Sequence, residues 1–419
     1  MAFYTGLSGL NAASKNLDVI GNNIANANTT GMKSSRAEFA DLVASTFGVG
    51  NSNIPGLGVT VQTVSQQFSQ GNLSVTGNAL DLAINGGGFF QLQMPDGTTA
   101  YTRAGNFKLD NTGTIVTNAG AKVMGYPTST TGVPSSTTAG PLVLPTGAPI
   151  AAKATTTIAA EFNLNAAANT VYNAATNTPP YTTYGTALTV YDSQGTAVPF
   201  SMNFTRAAST PAVAGPPAVA ALDNWNVRDS AGALLNDTAG NPITVSFDAT
   251  GKLVVPTTNP TVSIKSSSPT TPNITATLDL SKATQFASSF GVTNLTQNGY
   301  TAGSFVGMSI AETGVITARY SNGQTQAAGM VALADFRNVQ GLAPAGGNNW
   351  TATYASGQPV MGQPGQGKFG STRAGSLEDS NVDLTGELVN MMTAQRAYQA
   401  NAQTIKTQDQ VLQTLVNLR

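Results

Sequence analysis

The chain contains no cysteine and no histidine. The first absence excludes disulfides and thiolate chemistry, and the second excludes imidazole metal sites and histidine-based catalytic triads. Charge is scarce too. Asp, Glu, Lys and Arg make up 9% of the 419 residues and the formal net charge is −1, where an ordinary soluble domain is roughly 25% charged. No run of like charge exceeds two residues, so the clustered Lys and Arg that nucleic acid or an anionic membrane surface would need are missing. No stretch reaches the ~18 consecutive apolar residues of a membrane span. The opening MAFYTGLSGLNAASKNLDVI has neither the basic n-region nor the unbroken apolar h-region of a secretory signal. The expectation is a chain without membrane insertion, cytosolic or exported by a route that removes nothing. A chain of this length has room for about two to four domains.

What is present divides into helical ends and a β-type middle. Phe3, Leu7, Leu10, Ser14, Leu17, Gly21 and Ile24 follow a 4-3 spacing, and Ala13 and Ile20 widen the stripe. This predicts an amphipathic helix of about 22 residues, roughly 33 Å long. The Asn-rich run NNIANANTTGMK follows, where Asn26, Asn28 and Gly31 suit the left-handed geometry that closes helices. At the other end Leu384, Leu388, Met391, Gln395, Tyr398, Ala402, Ile405, Asp409, Leu412 and Val416 keep the same spacing. That second helix spans about 33 residues, roughly 50 Å, with Asp383 or Asn381 as N-cap and Glu387 at the favourable end of its dipole. Both stripes are narrow. A heptad helix at each extreme predicts a paired, coiled-coil-like unit whose core neighbouring copies complete. The stripe residues Leu7, Leu10, Leu17, Ile20 and Ile24, with Leu384, Leu388, Met391, Tyr398, Ile405, Leu412 and Val416, are the candidate self-assembly residues.

Between the ends the period drops to two. ALDLAINGGGFFQLQMPDGTTAYTRAGNFKLDNTGTIVTNAGAKVMGY reads as five or six short strands, with turns at Pro95-Asp96-Gly97 and Asp110-Asn111-Thr112-Gly113. A Thr/Ser/Pro/Gly-rich crossing follows, from about Pro127 to Ala160. ALTVYDSQGTAVPFSMNFTR and ITVSFDATGKLVV are strand–turn–strand units with Gly195 and Gly251 at their turns. Further hairpins turn at Glu312-Thr313-Gly314 and Ser321-Asn322-Gly323. The fold class expected is α+β, nested and multidomain. Residues 1–33 and 381–419 form an inner helical domain, 34–71 and 357–380 extended connectors, 72–145 and 285–356 a middle β domain, and 146–284 an outer β domain.

Chemistry-bearing patterns are few. NGGGFF lacks the Lys-Ser/Thr and the following helix of a phosphate loop and reads as a tight turn. LEDSNVD clusters Glu378, Asp379 and Asp383 but lacks the ligand ladder of a calcium loop, and reads as a solvated helix start. Asp192, Asp229 and Asp248 stand at strand turns, where Asp is an ordinary turn residue and not a glycosidase carboxylate. No catalytic, cofactor or metal residues are expected, so the chain is not expected to be an enzyme.

NLDVIGNNIANANTTGMK resembles the N-terminal signature of the bacterial flagellar rod and hook family. LDLAINGGGFF, YTRAGNFKLDNTGTIVTNAGAKVMGY and GSLEDSNVDLTGELVNMMTAQRAYQANAQTIKTQDQVLQTLV resemble its other blocks. In the middle, LTVYDSQG, TQNGYTAGSF, ARYSNGQT and VALADFRNVQGLAPAGGNNW resemble the hook members, which carry a β insert. Met32 stands where an aromatic is usual and Asn298 where Asp is common. The resemblance implies a structural protein of the hook, outside the cell, polymerised into a curved hollow tube that serves as a universal joint for motility. It implies type III export without a cleaved signal peptide, and an inner layer of the tube built by the terminal helices. The implied partners are further copies of the chain, the distal rod protein, the hook cap protein, the hook–filament junction protein and the export apparatus. The alternatives are a distal rod protein and, from another class, a secreted β-rich adhesin or carbohydrate-active protein. In an isolated chain, both terminal helices are expected to be disordered until assembly.

Overall fold

A helix opens the described chain and a longer one closes it. In the computed structural model, α1 runs over Ala2–Ala25 and α2 over Leu384–Asn417; between them almost every regular element is a strand. The structure describes residues 2–42, 58–147, 149–168, 183–212 and 221–417. Part of the tract 34–71, and part of the Ala/Pro-rich tract near residue 215, therefore lie outside the described residues. No helix is long and apolar enough to cross a membrane among the described residues.

Two compact units divide the chain. The first comprises Met1–Gly147, Val306–Arg319 and Thr325–Arg419; the second comprises Ala148–Phe305 and Tyr320–Gln324. The first, helix-bearing unit is closed by pairings between segments that precede and follow the second. Lys122–Tyr126 pairs Thr325–Val331, Leu82–Asn85 pairs Ser371–Ala374, and Leu73–Val75 pairs Ser376–Glu378, all antiparallel. Between Ala79 and Tyr126 the chain forms six short strands, the upper of the two expected numbers. Their apolar alternation fills one core with Leu82, Ile84, Phe90, Leu92 and Val123, and Leu333 joins it from a later strand. A second cluster is aromatic: Phe89, Tyr101, Phe336 and Trp350, with Phe68 against them. Within the expected 34–71 connector, β1 (Ser35–Leu42) and β2 (Gly58–Gln66) pair as an antiparallel hairpin. An isolated two-stranded hairpin is marginal in water. This one leans on α1, where the Ser8 hydroxyl accepts the Val59 N–H at 3.3 Å.

Among the described residues the second unit is two five-stranded sheets. Both strand–turn–strand units expected there form: Thr183–Tyr191 pairs Ala197–Arg206, and Thr244–Phe247 pairs Leu253–Val255. Inward-facing residues of both sheets build one core around Trp225, Phe204, Phe247, Met202 and Leu278. Its turns repeat one device. Asp192, Asp229, Asp237 and Asp248 each accept two backbone N–H groups with one carboxylate oxygen, from the residues two and four positions on. Gly195, Gly232, Gly240 and Gly251 supply the positive φ that each turn requires.

Hydrogen bonds from the Asn241 N–H to Asp237, and from the Thr250 hydroxyl to Asp248, hold both carboxyls below the usual carboxylate range. In the unfolded chain the same groups titrate at ordinary values. The folded state is therefore favoured while they are ionised, and that advantage disappears as pH falls through the lowered folded values. The urea midpoint of this unit, read from Trp225 fluorescence, is expected to hold above about pH 4 and to fall below it. Asp248→Asn keeps the turn's acceptor and should flatten part of that acid slope; an unchanged slope would remove Asp248 as a contributor.

Candidate assembly site at the helix pair and its junction

The two helices approach through small residues. A Cβ at Gly6 would lie 3.1 Å from Ile405 Cγ1, and one at Gly9 would lie 2.8 Å from Asn401 Oδ1. Ala12, Ala13 and Ala394 are buried at the same face. A groove of ≈ 330 Å³ remains there, lined by Gly9, Ala12, Ala13, Phe39, Val59 and Ala394, among others. Of the stripe residues, Ile20 is buried, and Leu10, Leu17, Ile24, Met391 and Ile405 are half-buried. The rest stay in solvent: Leu7, Leu384, Leu388 and Tyr398, with Leu412 at 49% and Val416 at 74% exposure. Pairing α1 with α2 leaves much of the stripe open, because the closest contacts use Gly and Ala in place of the large apolar residues.

The Asn-rich stop has a specific local structure. Asn26 donates through Nδ2 to the Asn22 carbonyl at 2.9 Å, and its own carbonyl receives the Thr29 N–H at 3.0 Å. Gly31 turns the chain at φ 70°, and a Cβ there would lie 2.5 Å from the Ala104 nitrogen, so both the backbone angle and the space demand glycine. Asn23, buried, clamps the next segment. Its Nδ2 donates to the Ser35 carbonyl at 2.8 Å, and its Oδ1 accepts the Ser35 N–H at 2.9 Å.

Three segments at the foot of the helix pair, after α1, after β2 and before α2, meet on one carboxylate. Glu378 is 0% exposed. Its Oε1 accepts Lys33 Nζ at 2.6 Å and the Gly71 N–H at 3.0 Å. Its Oε2 accepts Arg103 Nη1 at 3.2 Å, and its carbonyl accepts the Gly31 N–H at 2.8 Å. Lys33, itself buried, also donates to the Ser69 carbonyl at 2.7 Å. Arg103 reaches the Gly86 carbonyl at 2.9 Å and lies over the Phe89 ring at 5.3 Å. Burial lowers the pKa of Lys33 and of Arg103, and Glu378 opposes it in both. Asn381 cross-ties the same passages: its Oδ1 accepts the Ser34 N–H at 2.7 Å, and its Nδ2 donates to the Gln67 carbonyl at 2.7 Å.

Glu378 corrects the reading of LEDSNVD as a solvated helix start, because it is the most deeply buried carboxylate of the junction. The physical reason is strand alternation. Ser376 and Glu378 face inward on the short strand that pairs with Leu73–Val75, while Leu377 lies between them. Of the two N-caps the sequence offers for α2, Asp383 takes the role, accepting the Thr385 N–H at 3.0 Å. Asn381 ties the passages instead. Nothing in the sequence reading singles out Lys33, Arg103 or Asn23 as functional. In a chain so poor in charge, a lone Lys next to a helix stop and a lone Arg after a strand are the available signals.

Four family models match in chain order. Residues 3–33 match the flagella basal body rod protein model and 83–169 the flagellar hook protein FlgE/F/G D1 domain. Residues 163–300 match the flagellar basal body protein FlaE D2 domain, and 373–418 the flagellar basal body rod FlgEFG protein C-terminal model. The flagellar hook protein FlgE of Escherichia coli (strain K12) is 41% identical over 432 residues, covering 100% of both chains. The chain belongs to the flagellar hook protein family. A more distant hook protein, from Treponema pallidum (strain Nichols), is 32% identical across 100% of this chain and 99% of its own length. The crystal structure of Helicobacter pylori flagellar hook protein FlgE2 shares the fold, with a TM-score of 0.55 at 18% identity, over 73% of this chain and 100% of that one. As a hook-family member the chain is a structural protein, and neither the rod reading nor the carbohydrate-active one is favoured.

Proposed function

We propose that this hook subunit polymerises through its terminal helices into a curved, hollow, extracellular tube that works as a universal joint between rod and filament. The observation that carries the reading is the apolar stripe left in solvent on the helix pair, from Leu384 and Leu388 to Leu412 and Val416. Exposed stripes of this extent on a charge-poor surface need covering, and copies of the same chain supply the matching face. In this reading residues 1–33 and 381–419 form a coiled-coil-like inner domain, 34–71 and 357–380 the connectors, 72–145 and 285–356 the middle β domain, and 146–284 the outer β domain. The distal rod protein, hook cap protein, hook–filament junction protein and type III export apparatus are the further partners, and no catalytic role is assigned. Negative-stain imaging of the purified chain under polymerising conditions should show hollow tubes; a monodisperse monomer under every condition would overturn the proposal.

The same reading predicts graded order in a single chain. Hydrogen exchange on dilute monomer should find the amides from Leu7 to Leu10 and from Ile405 to Leu412 open, and protected only after assembly. Slow exchange there before assembly would show that the helix ends fold without neighbours.

A further inference from the structure

We propose that the buried Lys33–Glu378–Arg103 triad is a positioning device, fixing how the helix pair is mounted on the β body within the helix-bearing unit. The inference concerns the single chain and stands whether or not the chain polymerises. Three observations lead to it. The first is convergence: Lys33 stands on the passage leaving α1, Gly71 on the one following β2, and Glu378 on the one entering α2, and the first two bond the carboxylate of the third within 3.0 Å. Arg103 ties that carboxylate to the β body through the Gly86 carbonyl.

The second is the charge count. Two cations share one carboxylate, with side-chain exposures of 0% for Lys33, 6% for Arg103 and 0% for Glu378. Buried ions are costly, and replacing a buried ionic cluster with apolar groups of similar size is often neutral or stabilising. A cluster whose direct ion pairs set two cations on one carboxylate, with Asp335 acting on Arg103 only through space and Arg103 Nε unpartnered among the described residues, is a poor source of net stability. The third is redundancy. Ser34, Gln67 and Ser69 are also bridged by Asn381, and β strands on both sides close the unit, so holding the passages together does not depend on the ions alone. What the ions add is direction. Each charged bond is satisfied in one geometry only, and a displaced helix pair would leave a charge buried without its partner.

The test uses the full chain, in which cysteine introduced for labelling has no native competitor. Spin labels at Asn390→Cys, near the base of α2, and Thr98→Cys, on the β body, report their separation by electron–electron double resonance. Lys33→Met is the informative variant, because it leaves Glu378 and Arg103 as a one-to-one pair in direct contact. The expected result is a thermal midpoint unchanged within a few degrees and a distance distribution at least twofold broader than in the unaltered chain. The triple variant Lys33→Met, Arg103→Met, Glu378→Leu should broaden it further while still unfolding cooperatively. A distribution of unchanged width in both variants would overturn the proposal. So would loss of the folded helix-bearing unit in Lys33→Met, which would make the triad a determinant of stability instead.

Discussion

In Glu378→Ala, the helix-bearing unit is expected to unfold about 3–5 kcal/mol more easily than in the unaltered chain. The substitution removes the only carboxylate in hydrogen-bond contact with Lys33 and Arg103 among the described residues, leaving two cations inside a low-dielectric region. It also takes the acceptor from the Gly71 N–H. Breaking one partner of a buried cluster costs far more than replacing the whole cluster, because the remaining charges stay desolvated. The two tryptophans make the effect separable. Trp350 belongs to the helix-bearing unit, donating to Gln66 Oε1 at 2.6 Å and packing against Phe89, over whose ring Arg103 lies. Trp225 lies in the core of the other unit. Denaturant titrations of single-tryptophan versions should show the Trp350 transition moving to lower denaturant and the Trp225 transition staying in place. A Trp350 midpoint equal to that of the parent would contradict the electrostatic account of the junction.

Leu412→Asp should have the opposite profile, with no effect on the lone chain and complete loss of assembly. Leu412 is 49% exposed on α2, and surface substitutions of this kind usually shift stability by less than about 0.5 kcal/mol. Once a neighbouring copy covers the stripe, the same carboxylate would be buried without a partner, at a cost of several kcal/mol per subunit repeated along the polymer. Leu17→Asp should also block assembly, with some loss of monomer stability because Leu17 is already half-buried. Sedimentation and negative-stain imaging read the assembly, and circular dichroism reads the monomer. Tubes of normal length from Leu412→Asp would show that the stripe does not face a neighbouring copy.

Much of this architecture is readable from the residues. The 4-3 spacing from Phe3 to Ile24 places a helix that spans Ala2–Ala25, and Asp383, one of two candidate caps, does cap α2. Asx-type turns at Asp192, Asp229 and Asp248 are legible because their chemistry is local: an Asp, a Gly three residues on, and the N–H groups between and beyond. The junction is not legible for the converse reason. Lys33 and Glu378 are 345 positions apart, and nothing near either residue states that the other is its partner. The sequence around Glu378 suggests an exposed acidic run because Asp379 and Asp383 follow it, whereas burial there is decided by which face of a three-residue strand meets Leu73–Val75. The small-residue contact between α1 and α2 escapes notice in a similar way. Large apolar residues mark a stripe, but Gly6, Gly9 and Ala394 mark the place where two backbones come closest.

The nested pairings also favour an order of events as the chain folds. The segment from Ala148 to Phe305 holds nearly all of its own partners: one sheet pairs strands adjacent in sequence, while the other joins Thr157–Asn165 to strands at the far end of the segment, so it can collapse once all of it is free. Residues at the front of the chain must wait. Leu82–Asn85 is paired by Ser371–Ala374, Leu73–Val75 by Ser376–Glu378, and Gly6 lies against Ile405. Prior collapse of the intervening segment shortens the effective loop that those late pairings have to close, which lowers their entropic cost. The first residues made are thus among the last to be fixed, because the partners that hold them arrive only with the final fifty residues or so of the chain.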